Sequence, residues 1–328
     1  MKKIFLIIVF FLTMLTDGFT QRKVDFIVLE DSIARLHQSM IAEPNIIIRY
    51  QKNEELLTLL EETLRLKNSF SYPFDSLKTI PVLTSKDKKL RIFTWYLIND
   101  QKVHEYFGFI QTLDEETKTY KLCQLTDKWS RINSPMAQML TCNNWYGALY
   151  TKLIEMEGST KTYYTLLGWN GGNIFSQQKI IEIVTVNKRG VPSFGATVFK
   201  GYSKSRTTRV VFEYAKNAHF TLLYDFQAYT KRSATKDKKT RRYLTDTVYA
   251  DMIVFNQLIP MDESLVEIPQ FMVPESSLNS AFVENEGKWV FRPDVIATNL
   301  RGKPSRKDPS PLPPKREMKT RRFYTPVQ

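Results

Sequence analysis

At Lys89 the apolar pattern of this chain changes period, and that change governs what it can fold into. Upstream, apolar residues return every three or four positions: Phe26, Leu29, Ile33, Leu36 and Met40, then Leu56, Leu60 and Leu64. Such spacing lines one face of a helix. Downstream the period is two, as in Arg91-Ile92-Phe93-Thr94-Trp95-Tyr96-Leu97-Ile98, which is the alternation of a strand with one buried face. The pattern predicts a first helix from Val24 to Met40, ended by Pro44. It predicts a second helix capped by Asn53, with Glu54 and Glu55 in its first turn and Arg65 and Lys67 near its end.

Strands are predicted at residues 91–98, 105–110, 120–125, 146–155, 162–169, 179–186, 195–200, 209–214, 220–225, 248–258 and 288–291. Turn residues separate them, among them Asn99-Asp100, Glu157-Gly158-Ser159, Asn170-Gly171-Gly172-Asn173, Asn187-Lys188-Arg189-Gly190 and Glu284-Asn285-Glu286-Gly287. Connections this short favour antiparallel pairing, because a parallel pair needs a long crossover. The expected fold is therefore mainly β: an antiparallel β-sandwich or barrel-like domain over 76–299, preceded by a two-helix segment over 21–75. A membrane-spanning barrel is disfavoured by short strands and by Glu182 amid apolar residues. The five tryptophans follow no fixed period, so no repeat is inferred.

Residues 1–20 have the form of a signal peptide. Lys2 and Lys3 precede the apolar run from Ile4 to Leu12, and the small residues Gly18 and Thr20 suit cleavage before Gln21. The run is shorter than the roughly 20 apolar residues of a membrane span. The expectation is export, to the periplasm or beyond, with no integral membrane anchor after cleavage. Residues 300–328, rich in proline and basic residues, are expected to be a disordered tail.

The net charge of +13 is concentrated in two stretches. Lys231, Arg232, Lys236, Lys238, Lys239, Arg241 and Arg242 stand against Asp237 alone, and the tail has nine basic residues against Asp308 and Glu317. The rest is close to neutral. These two stretches are the candidate contacts for an anionic envelope polymer, for lipid headgroups or for a protein partner. The bland alternative for 231–242 is a solvated loop between strands. Nucleic acid is disfavoured as a partner outside the cytoplasm.

Catalytic patterns are missing. There is no Gly-x-Ser-x-Gly elbow, phosphate-cradling loop or dinucleotide glycine set. His37, His104 and His219 are scattered, so no metal site and no cofactor is expected, and His219 reads as a strand residue. Asn170-Gly171-Gly172-Asn173 reads as a glycine hairpin turn rather than a calcium or sugar loop. Cys123 and Cys142 either close a disulfide or stay as separate thiols, and sequence leaves both open. The leading function is a non-catalytic exported envelope protein that binds through its basic loop and tail. The alternative is a secreted hydrolase of a glycan or peptide, which would need two of Glu155, Glu182, Glu213 and Asp225 to converge. A third is an assembly subunit whose tail threads a neighbour.

Several stretches together carry a resemblance: Trp145-Tyr146-Gly147-Ala148-Leu149-Tyr150, Tyr163 to Gly171, Lys179-Ile180-Ile181-Glu182, Phe194-Gly195, Val211-Phe212-Glu213-Tyr214, and Gly287 to Phe291 with Asp294-Val295. In that order, across about Trp145 to Asn299, they resemble a group of uncharacterised exported proteins of Bacteroidetes-type bacteria. The group often has Asp where this chain has Asn170, which weakens a metal reading here. The resemblance implies envelope export and a β-rich body, and brings no activity with it.

Overall fold

A computed structural model describes residues 25–266 and 268–296. The predicted signal peptide and the predicted basic tail fall outside these residues.

Helix α1 (Phe26–Ala42) is capped by Asp25, whose carboxylate accepts the Ile27 N–H. Helix α2 (Ile46–Arg65) begins earlier than its charge pattern predicts. Asn45, directly after Pro44, is the cap and accepts the N–H groups of Ile47 and Ile48. Asn53 lies inside the helix, fully buried, and accepts the indole N–H of Trp95 at 2.8 Å. Its side chain serves the packing of the helix on the sheet below rather than the helix end.

Four antiparallel strands follow in the order β1 (Val82–Thr84), β2 (Leu90–Ile98), β3 (His104–Asp114) and β4 (Thr119–Thr126). The helices cover one face of this sheet, where Ile33, Met40, Leu56, Leu60 and Leu64 meet Phe93, Trp95, Leu97 and Phe109. Ile92, Tyr106 and Ile110, on the alternate positions, face the next sheet.

The second sheet is built from β5 (Leu149–Glu157), β6 (Thr162–Asn170), β7 (Ser176–Val186) and β8 (Pro192–Phe194). The two-residue β9 (Phe199–Lys200) belongs elsewhere, and β10 (Val210–Ala215) completes the order β10-β7-β6-β5, with β8 beside the end of β7. This sheet is covered on both faces. Tyr150, Tyr164, Leu166, Ile180 and Val184 pack on the first sheet, while Leu167, Ile181, Ile183, Val210 and Phe212 pack on the third. Double coverage explains why β7 reads as a nearly unbroken apolar run.

The third sheet contains β11 (Leu222–Lys236), β12 (Tyr243–Pro260), β13 (Met272–Asn285) and β14 (Lys288–Ile296), with β9 parallel to β14. Strand β14 also pairs back on β11 at Tyr229↔Val295 and Ala228↔Ile296. The four strands thus close a ring around Tyr229, Met252, Val254, Ala281, Val283 and Val295. The described residues form a helix pair and three sheets, so the mainly β, antiparallel expectation is met with one more sheet than a sandwich has.

Four local expectations differ from the structure. Residues 195–200 contain only the short β9, because Gly195 adopts φ 101° and turns the chain away from β7. Strand β13 had no predicted counterpart. His219 is exposed between β10 and β11 rather than within a strand. The alternation from 220 onward is not a short strand followed by a loop; it is the first part of a strand that continues to Lys236.

Candidate anion-binding ribbon

Strands β11 and β12 pair from Leu222↔Phe255 to Lys236↔Tyr243, with a register shift between Arg232 and Lys236 that sets three β11 residues against one of β12. Only part of that hairpin is covered. Strand β13 meets β12 from Met252 onward, and β14 meets β11 only at Ala228 and Tyr229. Beyond Thr230↔Thr247 the hairpin is a two-stranded ribbon with no third strand among the described residues, and both its faces are exposed. The predicted basic residues all lie on it. Lys231, Arg232 and Lys236 are on β11, while Lys238, Lys239, Arg241 and Arg242 form the turn, and every one of the seven is exposed.

Asp237 fixes the turn. Its carboxylate accepts the N–H groups of Lys239 and Thr240 and the Thr240 hydroxyl, and these bonds hold its carboxyl below the usual carboxylate range. Backbone bonds from Asp237 N–H to Arg242 O and from Arg241 N–H to Asp237 O close the turn, and Arg241 takes φ 53°. The one acidic residue of the stretch is therefore occupied by backbone donors. No ion pair with a described residue is formed by any of the seven cations.

The two faces of the ribbon differ. Lys231 stands directly across from Asp246. On the other face Arg232 pairs with Thr245 and Lys236 with Tyr243, and the Tyr243 ring lies beneath both cations. The Arg232 guanidinium carbon is 3.5 Å from the ring centroid and Lys236 Nζ is 4.8 Å from it. Sequence reasoning singled out the cations and missed Tyr243, whose signal was an aromatic residue directly after Arg241-Arg242.

The other sequence candidates are occupied by the fold. Glu182 is fully buried and accepts Arg209 Nε at 2.8 Å, while that guanidinium also donates to the carbonyls of Pro135, Gln138 and Phe194. Burial pushes the Glu182 carboxyl up, and Arg209 opposes that shift. Glu155 accepts the Lys86 N–H, and Glu213 accepts the Ser176 hydroxyl. Strand register sets the Cα atoms of Glu155, Glu182 and Glu213 at least about 12 Å apart, and Asp225 lies in a different sheet. Glu155, Glu182 and Glu213 are each engaged by a different partner, Lys86, Arg209 and Ser176, so these three carboxylates are held at separate points of the sheet.

Asn170 is also buried. It donates to Gly147 O and accepts Gly172 N–H, and Gly172 takes φ 58° in the β6–β7 turn, as a glycine hairpin requires. Among the described residues no three His, Cys, Asp or Glu side chains gather as a metal site would require. Cys123 and Cys142 are joined in a disulfide, their Cα atoms 6.4 Å apart, which ties β4 to the segment that leads into β5.

One groove of about 680 Å³ is lined by His104, Glu105, Asp127, Lys128, Trp129 and Arg131 among others. Asp127 went unnoticed in the sequence. Its carboxylate accepts the N–H groups of Tyr106, Trp129 and Gly147, so it pins three chain segments together. Burial raises it to about 6 despite those bonds. His104, packed among Tyr96, Tyr106 and Trp169, has an Nδ1 with no partner among the described residues. Burial, with Lys216 nearby, lowers it to about 4.

No protein-family model, no curated protein and no solved structure matches the chain. No helix among the described residues is long and apolar enough to cross a membrane.

Proposed function

We propose that this chain is an exported, non-catalytic envelope protein that attaches to an anionic surface through the β11–β12 ribbon. Export rests on the lysine-led leader and on the resemblance to exported proteins. The binding role rests on one observation above all: seven exposed cations sit on a ribbon with two carboxylates, Asp237, which is occupied by its own turn, and Asp246, which stands across from Lys231. Unpaired cations on an ordered support retain their full field for a ligand. Those of a flexible loop would lose entropy on being fixed at the surface.

Co-sedimentation of the full chain with anionic vesicles, or capture on an immobilised acidic glycan, tests this. Binding is expected to weaken about tenfold or more between 50 and 200 mM salt, since exposed charges are screened over roughly 8 Å. Replacing Lys236, Lys238, Lys239, Arg241 and Arg242 by Gln should abolish it at physiological salt. Salt-independent binding, or binding untouched by the five substitutions, would overturn the reading.

A further inference from the structure

The seven cations of the ribbon are not equivalent, and the geometry points to a defined subsite among them. Arg232 and Lys236, held on the Tyr243 ring, form a site for a phosphate monoester, the dianionic end of a phosphorylated ligand. This rests on the proposed role of the ribbon and names the chemistry that the role would recognise.

Consider first what the ring does. A guanidinium stacked on an aromatic face is attracted by the ring quadrupole and loses part of its rotamer freedom before any ligand arrives. At 3.5 Å, Arg232 is in direct contact with Tyr243, and its N–H groups have no acceptor among the described residues. Lys236 shares the same ring, so the two charges lie within about 8 Å of each other. Two like charges held that close repel, and the anion that relieves the repulsion must reach both.

Oxygen count then selects the anion. A carboxylate has two oxygens in one plane, and a guanidinium fork uses both. Lys236 can then reach only the outer lone pairs of those same two oxygens, within that one plane. A tetrahedral phosphate offers two oxygens to the fork and a third to the ammonium. A sulfate ester has that shape but a single negative charge, whereas a phosphate monoester carries about −1.5 to −2 at neutral pH. Shape and charge together favour the phosphate monoester. The neighbouring positions agree, because the cross-strand residues on this face are Thr245 and Thr247, while the carboxylate Asp246 stands opposite Lys231 on the other face.

The test uses the full chain and the charge-conserving substitution Arg232→Lys. Vesicles containing phosphatidic acid, a monoester, are compared with vesicles of phosphatidylglycerol, a diester, at matched surface charge. Pyrophosphate and sulfate serve as competitors at matched ionic strength. The subsite predicts preference for phosphatidic acid, competition by pyrophosphate well ahead of sulfate, and loss of about fivefold or more of that preference in Arg232→Lys. Tyr243→Leu, which keeps every charge, should lose the preference as well, and thermal melting of both variants should match the parent. Complete displacement from phosphatidic acid vesicles by pyrophosphate would point to a soluble phosphate ligand, and partial displacement to a lipid headgroup, where the membrane adds its own field. Either supports the subsite, and no displacement by pyrophosphate counts against it. Equal binding of both vesicle types, or an Arg232→Lys protein that keeps the preference, overturns the subsite and leaves the anionic-surface role standing. Failure to bind any anionic vesicle at low salt removes both.

Discussion

Arg91 and Arg232 both lie over aromatic rings, yet they occupy opposite environments. Arg91 is buried, with Phe70, Phe74 and Phe93 about its guanidinium, and it donates to Gln111 and to the carbonyls of Ser69, Phe70 and Tyr72. Arg209 is likewise enclosed, on Glu182 and three carbonyls. In both, the surrounding protein supplies the acceptors, so the charge holds the fold together and is closed to any ligand. Arg232 has the ring but no acceptor among the described residues. The same chemical group is a structural rivet in the stacked sheets and an open donor on the ribbon.

The largest effect should follow from emptying an interior site. Arg209→Leu leaves Glu182 buried without a counter-charge, and urea denaturation should show a loss of about 3–5 kcal/mol or failure to fold. An Arg209→Leu protein as stable as the parent would erase the contrast. Next comes the disulfide. Reduction, or the paired change of Cys123 and Cys142 to Ala, should cost about 3 kcal/mol by the loop-closure model, read as a lower denaturation midpoint.

Acid should act on the stacked layers and spare the ribbon. His37, bonded to Thr79, and His104 are both lowered to about 4 by burial, from an ordinary value of 6.5. Their unfolded forms take up protons first, so stability is lost as pH falls from about 6.5 toward 4. Asp127 works in the opposite sense. Raised to about 6, it favours the folded state once protonated, and that contribution disappears as pH rises through 6. Melting curves across pH 4–7 should therefore show a net acid loss that grows steeper in Asp127→Asn. A flat profile in the parent would argue against buried neutral histidines. The smallest effect belongs to the ribbon: neutralising Lys236 to Arg242 should shift stability by no more than about 0.5 kcal/mol while eliminating binding.

The periodicities made the helix pair and most strands legible, because each has one face toward a neighbouring layer. What stayed hidden was set by distant partners. The run Ile46-Ile47-Ile48 is β-branched and reads poorly as helix, while Glu54 and Glu55 made Asn53 look like a cap; only the buried indole of Trp95 explains that asparagine. Strand β13 contains Pro274 and lacks alternation, and it is held by β12 across a register shift at Asn256 and Gln257. The cations of the ribbon were plain in the sequence, but their strand geometry was not, since Lys, Thr and Ser leave no apolar alternation to read. Tyr243 became meaningful only once pairing set it beneath Arg232 and Lys236.

The ribbon also sets a distance. From Thr247 to Tyr243, the regular strand of the ribbon, the chain reaches about 13 Å past the last covered position, beyond the roughly 8 Å screening length of physiological salt. At that standoff the near-neutral body neither reinforces nor dampens the field at the tip. The proposed recognition would then be carried by a detachable module: grafted onto another antiparallel hairpin, the segment from Thr230 to Thr247 should bring the proposed anion preference with it.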